Sequence, residues 1–351
     1  MSDNVALIAG VGGTCGSNLA EMLHRDHHWK HIIGISRSNP RLDVPIDHRA
    51  VDLLDKGQCN RLLGDLSSVT HIFWTALING KTRTEENTLN TTMFENFMDA
   101  ALPRIPGLQH VHVLEGIKQY GYDLGPYKTP CREDDPDGDP PYFYTDQHAH
   151  TLKCRSGQNW TWSTSRPGAV CGYAYRGRIN LTNVIAVYAS IMKELGEPLH
   201  YPGDDGTFGR LTFATDVRIL NRLMIWASTD PRAANQAYNV ANGDHFRWEH
   251  MWPRIASMFE MPMGEVRPMD LVAFMESHST LWDDMVRRHG LRETKLMEIA
   301  PWPYANIVFR RNWDSAINTV KANRFGFTEM IDTEDMFRGY IEQFRAARII
   351  P

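Results

Sequence analysis

Val5-Ala6-Leu7-Ile8-Ala9-Gly10-Val11-Gly12-Gly13-Thr14-Cys15-Gly16 is the stretch whose reading decides the fold. Five apolar residues make a short buried strand, and Gly10, Gly13 and Gly16 punctuate the entry to a helix over Thr14 to His24. Between a strand and a helix, such glycines allow a tight turn, close approach of backbone N–H groups to a pyrophosphate, and close helix-on-strand packing. The helix N-terminus adds positive potential. The flanking strand and helix make the GxxGxxG spacing informative, because a glycine turn without them is common.

The rhythm continues outward. Apolar or β-branched runs at His31 to Ile35, Ala50 to Leu53, Thr70 to Thr75, Val111 to Leu114 and Thr161 to Ser165 alternate with helical patterns. In Asn87 to Leu102, for example, Leu89, Met93, Phe94, Phe97, Met98 and Leu102 recur at three- and four-residue spacing. Parallel strands need such crossovers, so an α/β fold follows: a Rossmann-type doubly wound parallel sheet. Tyr122 to Pro141, crowded with Pro, Gly and Asp, reads as a long exposed loop. After Pro167-Gly168, longer helical patterns (Leu181 to Leu195, Asp216 to Ser228, Trp248 to Phe259, Leu281 to His289) predict a smaller, mainly helical C-terminal cap. Residues 1–170 with returning segments near 205–245 are expected to form the nucleotide-binding domain, and 171–204 with 246–351 the cap.

The 351 residues carry 37 Lys+Arg against 42 Asp+Glu, a formal charge of −5 without a basic run, which argues against a nucleic-acid or acidic-lipid surface. No stretch approaches a membrane span, and Met1-Ser2-Asp3-Asn4 gives no basic leader, so a cytoplasmic protein is expected. Five cysteines without a CxxC pair fit reduced thiols, and no histidine has metal-ligand spacing with a third ligand, so no metal is assigned.

At the end of the second strand, where an NAD enzyme places Asp or Glu, the chain has Ser36-Arg37-Ser38. Arg37 pairs well with an adenosine 2′-phosphate, and the serines add donors without repelling it, which favours NADP(H). Asp52 and Leu53, closing the third strand, fall where adenine usually rests. Short-chain dehydrogenases with this glycine pattern normally use Tyr with Lys four residues later, yet no Tyr here has Lys at that spacing. An ordinary ketone reductase or epimerase of that class is disfavoured. Lys118, just past the fifth strand in Leu114-Glu115-Gly116-Ile117-Lys118-Gln119-Tyr120, stands where strand ends face a ligand crevice.

Together, the glycine segment through Leu19-Ala20-Glu21, Gly116-Ile117-Lys118-Gln119-Tyr120, Phe143-Tyr144, Arg166-Pro167-Gly168 with Gly172-Tyr173, Asn239-Val240-Ala241-Asn242-Gly243-Asp244 and the ending Ala347-Arg348-Ile349-Ile350-Pro351 closely resemble the progesterone 5β-reductase/iridoid synthase-like (PRISE) family. These are atypical extended short-chain dehydrogenases/reductases, and the likeness spans essentially the whole chain. It implies NADPH-dependent reduction of the C=C bond of a small-molecule enone or enal, with Lys118 and Tyr144 matching the catalytic pair. The family's Tyr lies in a Phe-Tyr-Tyr run. Here the run is Tyr142-Phe143-Tyr144, with Tyr142 the alternative if the register slips. Glu115 replaces the family's usual Thr.

By the same resemblance, cofactor contacts fall to Gly12, Gly13, Thr14, Arg37, Ser38, Asp52, Leu53, Ala76, Leu77 and Val170, beside Gly10, Cys15 and Gly16 of the loop. The family's pocket-lining Phe matches Phe337, near Tyr340. Both equally fit a buried helix face. A carbonyl reductase or alcohol dehydrogenase, and a non-catalytic NADP(H) sensor, are the competing readings. A homodimer is the default expectation for the class.

Overall fold

The strand Asn4–Ala9 (β1), buried along its whole length, lies inside a seven-stranded parallel sheet. Its companions are Trp29–Ser36 (β2), Asp47–Ala50 (β3), His71–Trp74 (β4), His110–Leu114 (β5), Thr161–Pro167 (β6) and Gln236–Val240 (β7). The spatial order is β7-β6-β5-β4-β1-β2-β3, the doubly wound arrangement the sequence predicts. This is a computed structural model, which describes residues 4–40, 42–173 and 180–351. The chain order reverses between β1 and β4, and ligand crevices of open α/β sheets form at such a point.

The third strand starts earlier than its apolar pattern suggests, at Asp47 rather than Ala50. It is a half-exposed edge strand of Asp47-His48-Arg49-Ala50, so its polar side chains hide it from a search for apolar runs. Asp52 and Leu53 consequently lie beyond the strand. The helices Thr14–Arg25 (α1), Lys56–Leu62 (α2), Arg83–Ala101 (α3) and Phe143–Arg155 (α4) cover this sheet's unit. α3 begins four residues before its apolar periodicity, because Thr82 caps it: its side chain accepts a hydrogen bond from the Glu85 amide. Met93, Phe94, Phe97 and Met98 then bury against Leu7, Ile72, Trp74, Val111 and Val113.

On β4, β5 and β6 a ladder of buried polar side chains replaces the apolar layer. His110 contacts the Thr161 and Ser163 hydroxyls (2.8 and 2.7 Å), and His112 contacts those of Ser163 and Ser165 (2.8 and 3.0 Å). The segment 122–141 is the long, mostly exposed loop the composition predicts, and side-chain contacts tie it down. Asp123 pairs with Arg83, Lys128 pairs with Asp135, and Cys131 is buried.

Two compact units result: Met1–Pro167 with Leu220–Val240 and Asn318–Thr328, and Gly168–Ile219 with Ala241–Ile317 and Glu329–Pro351. The returning segments thus differ from the expected 205–245. β7 brings 220–240 into the first unit, and helix Val320–Phe325, packing on β7, brings 318–328. The second unit is mainly helical, as expected of the cap, with Leu181–Glu194, Trp248–Met258, Ser279–His289 and Thr333–Ala346 around a core holding Trp248, Trp252, Trp282 and Trp302. No helix among the described residues is long and apolar enough to cross a membrane.

Candidate active site

The glycine loop is shaped for close backbone approach. Gly10 has φ +93°, and a Cβ there would fall 2.5 Å from the Ala76 amide nitrogen. A Cβ at Gly16 would meet the Gly10 carbonyl at 2.5 Å and the Thr75 hydroxyl at 2.8 Å. Only glycine fits at either place. Gly13 precedes α1 with no side-chain cap, and no acid sits in the first turn. The first amides of α1 are therefore left for an anion, with Gly12 and Gly13 exposed and Thr14 and Cys15 half-buried. This donor set fits a pyrophosphate.

Gly12 also lies beside the end of β2, where a Cβ would be 3.4 Å from that of Ser36. The Ser36 hydroxyl donates to the Ser38 carbonyl (2.9 Å) and contacts His48 Nε2 (2.9 Å). Arg37 and Ser38 are exposed, and Arg37 has no partner among the described residues. The nearby strand carboxylate of Asp47 is committed to Arg49 at 2.7 Å. Arg37 beside two hydroxyls fits a 2′-phosphate better than a bare ribose. Asp52 accepts from the Leu54 amide (3.1 Å), Leu53 is buried with its carbonyl bonded to Asn96 (3.1 Å), Ala76 abuts Gly10, and Leu77 is exposed.

Past β5, Glu115 continues the sheet pairing by donating its amide to the Ser165 carbonyl (2.9 Å), and the chain then coils through Ile117–Tyr120. Gln119 bonds Asp137 and Thr145, and its carbonyl accepts from the Gly138 amide at 2.7 Å. Asp137 and Gly138 of the 122–141 segment thereby hold Gln119, the residue after Lys118. The Lys118 ammonium donates to the Tyr142 hydroxyl (2.9 Å) and to Glu86 Oε1 (3.1 Å), and lies 4.7 Å from the Tyr142 ring centroid. Tyr142 in turn donates to Glu86, and the Arg83 guanidinium covers the same ring at 4.8 Å.

Tyr144 lies apart from this cluster. Its ring packs edge-on to Tyr142 at 4.8 Å, but its hydroxyl stands against Gly116, where a Cβ would come within 3.2 Å, and makes no hydrogen bond among the described residues. Burial pushes the phenol well above its usual range, and the carboxylates of Glu115, Glu86 and Asp123 push it the same way. Lys118 is thus brought to Tyr142, and the two residues matched to the catalytic pair are not bonded to each other.

Behind Gly116 is a buried ion pair: Arg166 Nε donates to Glu115 Oε2 at 2.7 Å. Arg166 also reaches the Tyr120 hydroxyl (3.1 Å) and the Glu133 carbonyl (3.3 Å). Glu115 Oε1 and His148 Nδ1 face each other at 3.8 Å, both buried without a hydrogen-bond partner. Of the residues around Lys118 and Gly116, Tyr142 entered the sequence reading as the alternative phenol and Arg166 within the Arg166-Pro167-Gly168 segment of the resemblance, whereas Glu86 was not singled out. The local signal that could have placed Glu86 at the start of α3 is the acidic first turn of a Thr-capped helix, which the apolar periodicity from Asn87 onward passes over.

Val170, Phe337 and Tyr340 belong to the second unit. Val170 lies in the short strand Ala169–Cys171. Phe337 is buried in the core near Trp248, and the Tyr340 hydroxyl donates to Asp216 at 2.8 Å.

The PRISE-like Rossmann-fold domain family matches residues 40–351. The chain is 32% identical over 367 residues to an (S)-8-oxocitronellyl enol synthase of Nepeta cataria, covering 99% of this chain and 94% of the relative. It is 31% identical over 373 residues to a 3-oxo-Δ(4,5)-steroid 5β-reductase of Arabidopsis thaliana, with 99% and 94% covered. Among solved structures it is similar to a UDP-glucose 4-epimerase of Thermotoga maritima with a TM-score of 0.69, covering 97% of this chain and 99% of that one. At 13% identity, that likeness is one of fold.

Proposed function

The chain belongs to the PRISE-like Rossmann-fold family, and from that premise we propose an oxidoreductase that uses NADPH to reduce the C=C bond of an activated enone or enal. The observation that carries the reading is the separation around Gly116: Lys118 is engaged by Tyr142 and Glu86, while the Tyr144 hydroxyl stands unbonded and firmly protonated.

NADPH, when bound, supplies the hydride that adds to the β-carbon. The glycine loop and the first amides of α1 hold its pyrophosphate, and Arg37 with Ser36 and Ser38 meets the 2′-phosphate. Tyr144 donates a hydrogen bond to the substrate carbonyl oxygen, which gains negative charge as hydride arrives. That bond is stronger to the enolate than to the neutral enone, so it lowers the barrier. A phenol raised by burial and by three carboxylates acts as a donor and not as a base, which suits enolate stabilisation better than alcohol oxidation. Lys118 adds positive potential nearby, and water supplies the α-carbon proton.

The Tyr142–Lys118 contact favours a second reading, a carbonyl reductase whose phenol and lysine exchange protons. Product analysis separates the two. With NADPH and a panel of enones and enals, a saturated carbonyl product supports the first, an allylic alcohol with the C=C intact the second. We place the protein in the cytoplasm, as a homodimer.

A further inference from the structure

We infer that Glu86 is a positioning residue for this reduction, fixing the Lys118 ammonium together with the Tyr142 hydroxyl. The inference rests on the proposed reduction and on the role given there to Lys118.

Three groups close a ring of hydrogen bonds: Lys118 to Tyr142 (2.9 Å), Lys118 to Glu86 (3.1 Å), and Tyr142 to Glu86. Tyr142 is 2% exposed, and the Glu86 side chain keeps only 12% of its surface. A carboxylate so enclosed needs its cation, and a lysine whose flexible stem is part-exposed needs an anchor to keep one direction. Glu86 meets both needs from a rigid support. Thr82 caps α3 one turn earlier, and the next residue, Asn87, accepts from the Phe143 amide at 3.0 Å, so the same helix turn sets the start of α4.

With Phe143 at the middle of the aromatic run, the hydroxyl that meets Lys118 comes from Tyr142. The Phe143 ring is buried between Tyr142 and Tyr144, at 4.3 and 4.5 Å. Moving a hydroxyl from position 142 to 143 therefore does not restore the ring.

The test is a double-mutant cycle on the full chain, with NADPH and 2-cyclohexen-1-one. Glu86→Gln should lower kcat roughly tenfold with the KM for NADPH held within about twofold, and should cost nothing further in a Lys118→Ala background. Glu86→Asp should recover part of the loss. Equal losses in both backgrounds, or no loss in Glu86→Gln where Lys118→Ala is impaired, overturn the inference alone. Full activity of Lys118→Ala overturns it together with the proposed role of that lysine. A second readout needs no turnover. Competitive acetylation with acetic anhydride, followed by peptide mass spectrometry, compares Lys118 with the exposed Lys153. The Lys118 rate should rise at least about threefold in Glu86→Gln and in Tyr142→Phe, because the amine loses an acceptor. An unchanged ratio overturns the inference even if the wild type reduces no enone.

Discussion

The Tyr144 hydroxyl rests against Gly116, whose missing side chain leaves it room: a Cβ at 116 would lie 3.2 Å from the phenol oxygen. Gly116 is extended, with φ −175°, so alanine is tolerated by the backbone and only the contact with Tyr144 changes. Gly116→Ala should displace the hydroxyl by a few tenths of an ångström and lower kcat by roughly tenfold, with little change in melting temperature. Unchanged kcat would mean that the hydroxyl is not where the reaction needs it.

Tyr144→Phe removes a hydroxyl that has no hydrogen-bond partner among the described residues, so stability should not fall. Turnover of an enone should drop on the order of 100- to 1,000-fold, the usual cost of one oxyanion donor. Parallel measurement of kcat and the urea midpoint checks both parts. A loss of stability without loss of turnover would reassign Tyr144 to the core.

The sequence made β1, the glycine loop and α1 legible because apolar burial and the need for glycine both act locally there. It misplaced β3, since an edge strand of Asp47, His48 and Arg49 carries no apolar signature. Tyr122 to Pro141 read correctly as an exposed loop, but composition does not reveal that Asp123 finds Arg83 or that Asp137 finds Gln119. The partner of Lys118 was hidden for a similar reason. A search for Lys four residues after Tyr examines one helix face, whereas Lys118 and Tyr142 meet across 24 positions of chain. The reading of Arg37 draws on the end of β2 alone, and the structure places that residue exposed just past the strand.

Arg37 is exposed and unpaired among the described residues, so removing it should leave stability untouched. Arg37→Ala should weaken NADPH binding by about 10- to 100-fold, the worth of a charge-assisted fork, while NADH binding stays within about twofold. Fluorescence titration with each cofactor measures the difference. Equal weakening of both would remove the 2′-phosphate from the account.

The Glu115–Arg166 pair is buried on both sides. Arg166→Met keeps most of the volume but strands the Glu115 carboxylate, and should cost about 3–5 kcal/mol. Adding Glu115→Gln to that variant should return a substantial part of the loss, since the stranded charge is then gone. Urea denaturation of the two variants tests this. If the second substitution makes matters worse, packing rather than charge dominates the site.

The ladder of histidines predicts how the fold responds to acid. Burial holds His71 down to about 4 and His112 to about 3, and burial together with the neighbouring His112 and His71 holds His110 well below its usual value. Unfolded, each would titrate near 6.5. Between that value and the folded one, the unfolded chain binds protons that the folded chain refuses, so stability is complete above about pH 6.5 and falls as the pH drops toward 4. For His71 alone the loss approaches about 3 kcal/mol by pH 4. Denaturation midpoints at pH 7.5, 5.5 and 4.5 should fall in that order, and His112→Gln should flatten the decline whatever it does to stability at neutral pH. The hydroxyls of Ser163 and Ser165 already occupy both ring nitrogens of His112, so a glutamine amide can retain a polar contact while the titrating group is lost. A variant whose midpoints decline as steeply as the wild type's would move the acid sensitivity to other groups.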